Sequence, residues 1–150
     1  KIKEIFLKDA IDEYSKRLNK YCILNITELP DEKIPNNASE KELLIVKDKE
    51  AQSILNHLKR DSYIICLDLK GKQFSSEEFS KKIQNISLNY NSSITFIIGG
   101  SSGISSKVLN IADELISFSK MTFPHQLFRV FLLEQIFRAF KIMNNETYHK

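Results

Sequence analysis

Two stretches, YIICLDL at 63–69 and ITFII at 94–98, are apolar at nearly every position. A strand with one wet face alternates apolar and polar residues. A strand without that alternation is covered on both faces, as happens in parallel sheets. Parallel strands need long crossovers, and helices usually supply them. The segments around these runs have that character. Phe6/Leu7, Ala10/Ile11, Tyr14 and Leu18 recur at helical spacing over 4–18. Ser39 with Glu42, and Ser75 with Glu78, form capping boxes that open helices at 40–59 and after 75. Ser105 caps a short helix through Val108, Leu109 and Ala112, and a last helix runs from near Pro124 to about Met143.

Two more strands are predicted, YCILNITEL at 21–29 and LISF at 115–118, with a turn at Lys70-Gly71-Lys72 and an exposed tail, ETYHK. Helices and strands therefore alternate along the chain, which specifies an α/β fold with a mainly parallel sheet flanked by helices. The 150 residues suit a single domain spanning 1–150, since no linker is long enough to divide them.

The last helix is unusual. Leu127, Phe128, Val130, Phe131, Leu132, Leu133, Ile136, Phe137, Phe140 and Ile142 surround most of its circumference. Such a helix must be covered on nearly all sides. It either threads the core or lies at a subunit interface, and a symmetric homodimer built partly on it is expected.

Composition excludes several classes. No apolar run approaches the roughly 20 residues that span a bilayer, so no membrane partner is expected. The chain opens on a charged amphipathic segment rather than a secretory signal pattern. Cys22 and Cys66 sit inside apolar strands and read as buried free thiols of an intracellular, cytoplasmic protein. His57, His125 and His149 are scattered, so no metal site is expected. Net charge is +3, and residues 1–119 are neutral. The whole excess falls in 120–150, where Lys120, Arg129, Arg138, Lys141 and Lys150 outnumber Glu134 and Glu146. Both ordinary surface variation and a face for a phosphate backbone fit that bias.

The glycine motif Ile98-Gly99-Gly100-Ser101-Ser102-Gly103 ends a strand. No Gly-Lys-Ser/Thr follows, so it is not a phosphate-binding Walker loop, and the dinucleotide fingerprint spacing is missing. No nucleophile elbow occurs. A tight turn and a backbone cradle for a nucleoside-like or anionic ligand both fit. Three strand ends, Leu67–Gly71, Ile98–Gly103 and Phe118–Phe123, switch abruptly from apolar to small or polar residues. In open α/β sheets ligands bind at such carboxyl ends. Tyr148-His149-Lys150 places a ring, an imidazole and a cation in succession, which suits an unstructured tail or RNA contact with base stacking.

FIIGGSSG at 96–103, SFSKMTFPHQLFRVFLLEQIFRAFKI at 117–142 and YHK at 148–150 carry a resemblance over essentially the whole chain. The chain resembles the pseudouridine methyltransferases of the large ribosomal subunit, short members of the SPOUT (trefoil-knotted) superfamily. The resemblance implies a C-terminal trefoil knot, a rare exception to unknotted topology. It implies S-adenosylmethionine as cofactor, held by Leu67, Gly99, Gly100, Gly103, Phe118, Ser119, Lys120, Met121, Thr122 and Phe123. It implies a homodimer that methylates N3 of a pseudouridine in 23S rRNA on assembled ribosomes, with the tail of one subunit beside the cofactor of the other. His149 is then the candidate to assist removal of the N3 proton or orient the base, with Tyr148 beside it. Arg129 and Lys150 are candidates to hold phosphates or base oxygens. Arg138 is a further candidate, and for Arg129 and Arg138 the alternative is dimer salt bridges, for instance Arg138 with Glu134 on the same helix face. The family usually has a short first strand before the segment that this chain's Lys1 matches. A non-catalytic ribosome-associated RNA-binding protein of the same fold is the alternative.

Overall fold

The computed structural model describes residues 4–100 and 103–148. The elements in order are α1 (Ile5–Leu18), α2 (Glu40–His57), β1 (Tyr63–Gln73), α3 (Ser76–Asn89), β2 (Ile94–Ile98), α4 (Ser106–Leu109), β3 (Glu114–Ser117) and α5 (His125–Met143). They form two compact units, each assembled from separated stretches of chain.

One unit, residues 29–73 and 91–120, contains the sheet. Its strands are parallel, with β1 between β2 and β3. Central β1 explains the unbroken apolar run: Ile64, Ile65, Cys66 and Leu67 are all buried. One face packs Ile64 and Cys66 with Ile97 against Ala51 of α2 and Val108 of α4. The opposite face carries Ile65, Leu67 and Ile116, also buried. Both capping boxes form as expected, with Ser39 and Ser75 accepting from the amides of Glu42 and Glu78. Asp113 ties the strand entrances together. Its carboxylate accepts from the Ile64 amide at 2.8 Å, and its own amide donates to the Ile64 carbonyl at 2.8 Å.

The expected turn at Lys70–Lys72 is instead a bulge inside one long strand. β1 pairs with β3 through Leu67↔Ile116, loses register, and pairs again through Lys72↔Ile116 and Gln73↔Ser117. The Asp68 carboxylate accepts the Lys70 amide at 3.0 Å and holds the bulge out. Gly71 then returns onto β3. A Cβ on it would lie 2.6 Å from the backbone of both Leu115 and Ile116, so only glycine permits that approach.

The other unit, residues 1–28, 74–90 and 121–150, packs α5 against α1 and α3. Leu132, Leu133, Ile136, Phe137 and Ala139 of α5 are buried, with Leu7 and Leu18 of α1 and Phe79, Ile83 and Ile86 of α3. The α3 contact is close because small residues meet there: Ser80 Oγ donates to the Ala139 carbonyl at 2.9 Å. The carboxyl half of α5 is thus covered within its own unit. Leu127, Phe128, Val130 and Phe131 of the amino half are half-buried.

Two expectations fail here. Residues 21–29 are not a strand. The amides of Tyr21 and Cys22 bond back to the Leu18 carbonyl at 2.9 and 3.1 Å, extending the end of α1. Beyond them Ile23 is 92% exposed, and no ladder partner exists among the described residues. A β-branched sequence makes a strand only where a neighbour accepts its backbone. The tail is not a free extension either: Glu146 and Tyr148 both dock on α5. Both cysteines are free thiols. Among the described residues, no helix is long and apolar enough to cross a membrane.

Candidate functional site

Leu67 is the hub of the sheet's carboxyl edge. It pairs with Ile98 on one side and Ile116 on the other. Adjacent strands lie about 4.8 Å apart, so residues one or two steps beyond these three start side by side. They are the Asp68–Lys70 bulge, the Gly99–Gly103 loop and the Ser117–Lys120 segment. Of the three expected strand ends, those at Ile98–Gly99 and Ser117–Phe118 do flank Leu67 within one unit, whereas Leu67–Gly71 is a bulge inside β1, which runs on to Gln73. Strand order places β1, the donor of Leu67, in the middle.

The glycine loop closes on itself. Gly103 N–H donates to the Gly100 carbonyl at 3.0 Å, and Gly103 sits at φ +85°, a left-handed conformation that favours glycine. Ser101 and Ser102, at the tip, lie outside the described residues. A Cβ on Gly99 would lie 2.6 Å from Cγ1 of Ile104 and 2.9 Å from the Gly103 carbonyl carbon. On Gly100 a Cβ would lie 2.7 Å from Oε2 of Glu50 and 3.2 Å from Oδ1 of Asp31. These two carboxylates escaped the sequence reading, because nothing in Asp31 or Glu50 signals that they approach residue 100.

The third loop begins with Ser117, buried, whose Oγ donates to the Ser119 carbonyl at 3.0 Å. Phe118 and Ser119 are half-buried and Lys120 is exposed. The edge thus brings together buried Leu67, half-buried Phe118, a glycine backbone without side chains, and the carboxylates near Gly100. Apolar groups and carboxylates suit a neutral ring with a cationic arm, such as S-adenosylmethionine, and Lys47 Nζ lies 3.9 Å from the Cβ position of Gly103 on the same loop.

The continuation of this loop and the tail belong to the helical unit. Met121 is 73% exposed, Thr122 is exposed, and Phe123 packs edge-on against Phe131 at 5.3 Å and near Phe128 at 6.1 Å. His125 opens α5 behind Pro124, and its Nε2 is buried. Arg129 pairs with Glu28 at 3.0 Å, a partner that sequence reasoning missed. Arg138 makes the expected four-apart pair with Glu134 at 2.9 Å.

Tyr148 is not a free ring. Its hydroxyl donates to Oε2 of Glu134 at 2.8 Å, its edge meets Phe137 at 5.0 Å, and the Arg138 guanidinium lies 4.8 Å from its centroid. Burial, then the Glu134 carboxylate, push its phenol up to about 12. It is a protonated donor at neutral pH, not a base. His149 and Lys150 lie outside the described residues.

The model of the family described as "Predicted SPOUT methyltransferase" matches residues 1–149. Among curated proteins the chain is similar to a ribosomal RNA large subunit methyltransferase H of Clostridium botulinum (strain 657 / Type Ba4). The two are 64% identical over 150 residues, all of this chain and 94% of the relative. A ribosomal RNA large subunit methyltransferase H 1 of Clostridium perfringens (strain SM101 / Type A) is 61% identical over the same span and coverage. With a parallel α/β sheet whose carboxyl edge gathers the β1 bulge and two loops, and a family match along essentially its full length, the chain belongs to the SPOUT methyltransferases, the α/β-knot fold class.

Proposed function

We propose that this chain is an S-adenosylmethionine-dependent methyltransferase that modifies N3 of a pseudouridine in large-subunit rRNA on assembled ribosomes. The observation that carries the reading is the double pairing of Leu67 with Ile98 and Ile116, which starts the β1 bulge and two loops side by side at one sheet edge. Relatives at 61–64% identity named as large-subunit rRNA methyltransferases support the substrate class.

Leu67, Gly99, Gly100, Gly103, Phe118, Ser119 and Lys120 would hold the cofactor, with Met121, Thr122 and Phe123 continuing the last loop. When bound, S-adenosylmethionine supplies a methyl group already activated on a sulfonium. The protein's task is then alignment of N3 with that methyl carbon, and exclusion of water. N3 must give up its proton as the N–C bond forms. His149 is the residue proposed to receive it or to orient the base. Tyr148, a phenol at working pH, serves as donor and anchor for the segment leading to His149. Lys150 and Arg129 are proposed for phosphates or base oxygens, Arg129 by exchanging its bond to Glu28. A homodimer would bring one subunit's tail to the other's cofactor, within a single 1–150 domain in the cytoplasm.

Calorimetry with S-adenosylmethionine, followed by labelled methyl transfer to whole ribosomes and to free rRNA with the modified nucleoside mapped, tests the reading. Saturable binding and transfer to ribosomes, mapped to N3 of a pseudouridine, are expected. Absence of saturable binding overturns it. Ribosome association without transfer would favour the non-catalytic alternative.

A further inference from the structure

We propose that Glu146, gripped by Tyr21 and Lys141, is a positioning residue that fixes the course of the tail for methyl transfer. This rests on the proposed role of the tail and deepens it.

The helix end shows how the grip forms. Glu146 N–H donates to the Lys141 carbonyl at 2.9 Å and Asn145 N–H to the Ile142 carbonyl at 3.1 Å. Asn145 is left-handed, φ +54°. This is a Schellman ending with asparagine in the place usually given to glycine. It turns the chain back over the last turns of α5 instead of letting it run on.

The reversal delivers the Glu146 side chain to two partners. Oε1 accepts from the Tyr21 hydroxyl at 2.7 Å and Oε2 from Lys141 Nζ at 3.1 Å. Tyr21 is itself rigidly placed. Its amide bonds to Leu18 at 2.9 Å, and its ring stacks on Phe140 at 5.4 Å and 9° and meets Phe137 edge-on at 6.0 Å. Two residues further on, Tyr148 takes its own anchorage from Glu134, Phe137 and Arg138. Two fixed points two residues apart leave the intervening backbone little freedom.

A carboxylate just past a helix carboxyl end faces the negative end of the helix dipole and is unfavourable there alone. Its acidity is nevertheless increased, first by the Tyr21 hydroxyl and then by Lys141. Both partners are spent on holding one acidic residue in an otherwise adverse place. The result is a segment, Glu146 to Tyr148, held in place before substrate arrives. Misplacing a reacting group by about 1 Å can cost on the order of a hundredfold in rate.

The full-length protein is compared with Tyr21→Phe, Glu146→Gln and Glu146→Ala. The readouts are kcat and KM for ribosomes, S-adenosylmethionine affinity by calorimetry, and hydrogen exchange at the tail amides. Tyr21→Phe keeps the stacking and removes only the hydroxyl. Tyr21→Phe and Glu146→Ala should each lower kcat about tenfold, a modest share of that range. Cofactor affinity should stay within twofold, and exchange at Thr147 and Tyr148 should accelerate. Glu146→Gln, which still accepts from Tyr21, should recover part of kcat. Faster tail exchange with unchanged kcat overturns the proposal, and so does equal loss of kcat and cofactor binding. Removal of Tyr148–Lys150 separates the two readings. If transfer survives the truncation, the tail's proposed role fails. If truncation abolishes transfer but the Glu146 variants do not lower it, only the grip fails.

Discussion

Gly71 lies against the backbone of Ile116 so closely that a Cβ would sit 2.6 Å from both its N and its C atoms. Ile116 pairs with Leu67 before the β1 bulge and with Lys72 after it. The glycine therefore decides whether the strand can return to β3 at all. Gly71→Ala should destabilise the fold by about 2–3 kcal/mol, the upper range for overpacking, because the opposing atoms are backbone and cannot rotate away. Urea unfolding should show a lower midpoint at unchanged slope.

Gly103 makes a different demand. At φ +85° an alanine costs roughly 1–2 kcal/mol of backbone strain, while space is not limiting among the described residues, where only Lys47 Nζ approaches its Cβ position, at 3.9 Å. Gly103→Ala should leave the chain folded and weaken S-adenosylmethionine binding roughly tenfold as the Gly100–Gly103 turn loosens, equivalent to about 1.4 kcal/mol. Calorimetry on the variant checks this. Unchanged affinity would detach the loop from the cofactor.

The Tyr148 phenol is pushed up to about 12 from an ordinary value of 10.0. A group whose folded value is raised stabilises the fold fully below its unfolded value, and that contribution is lost as pH climbs through the folded one. Urea midpoints of the unaltered protein should therefore fall between pH 10 and 12 by more than those of Tyr148→Phe. Ultraviolet titration of the same pair should assign to Tyr148 an ionisation near the top of that window.

Burial, then the nearby Asp68 carboxylate, push the Cys66 thiol up to about 11, and its side chain is inaccessible. The thiolate is the reactive species, so Cys66 should resist iodoacetamide at pH 8 in the folded protein. Cys22, half-buried, should alkylate first. Cys66 labelling that follows unfolding in denaturant, read by mass spectrometry, is the expected result.

Local chemistry made much of this legible in advance. Ser39–Glu42 and Ser75–Glu78 announced two helix starts because a capping box is satisfied within four residues. The unbroken run at 63–69 announced a buried parallel strand, because burial on both faces leaves no place for polar residues. The glycine turn and the strand ends at Ile98 and Ser117 were visible for the same reason. What failed depended on distant partners. Residues 21–29 have strand composition, yet their first amides go to Leu18, and among the described residues no strand pairs with the rest. The tail looked free because nothing in ETYHK names Tyr21 or Glu134.

Sequence alone therefore determined the alternation of elements, the helix caps, the both-sided burial of the sheet and the glycine-built loop, each a matter of contacts among neighbours in the chain. Tertiary structure decided that β1 bulges and continues past Gly71, that Asp31 and Glu50 crowd Gly100, and that the tail is tied to α1 and α5. Those features come from atoms meeting across long separations, where a single missing Cβ or one well-placed hydroxyl fixes the path of the chain.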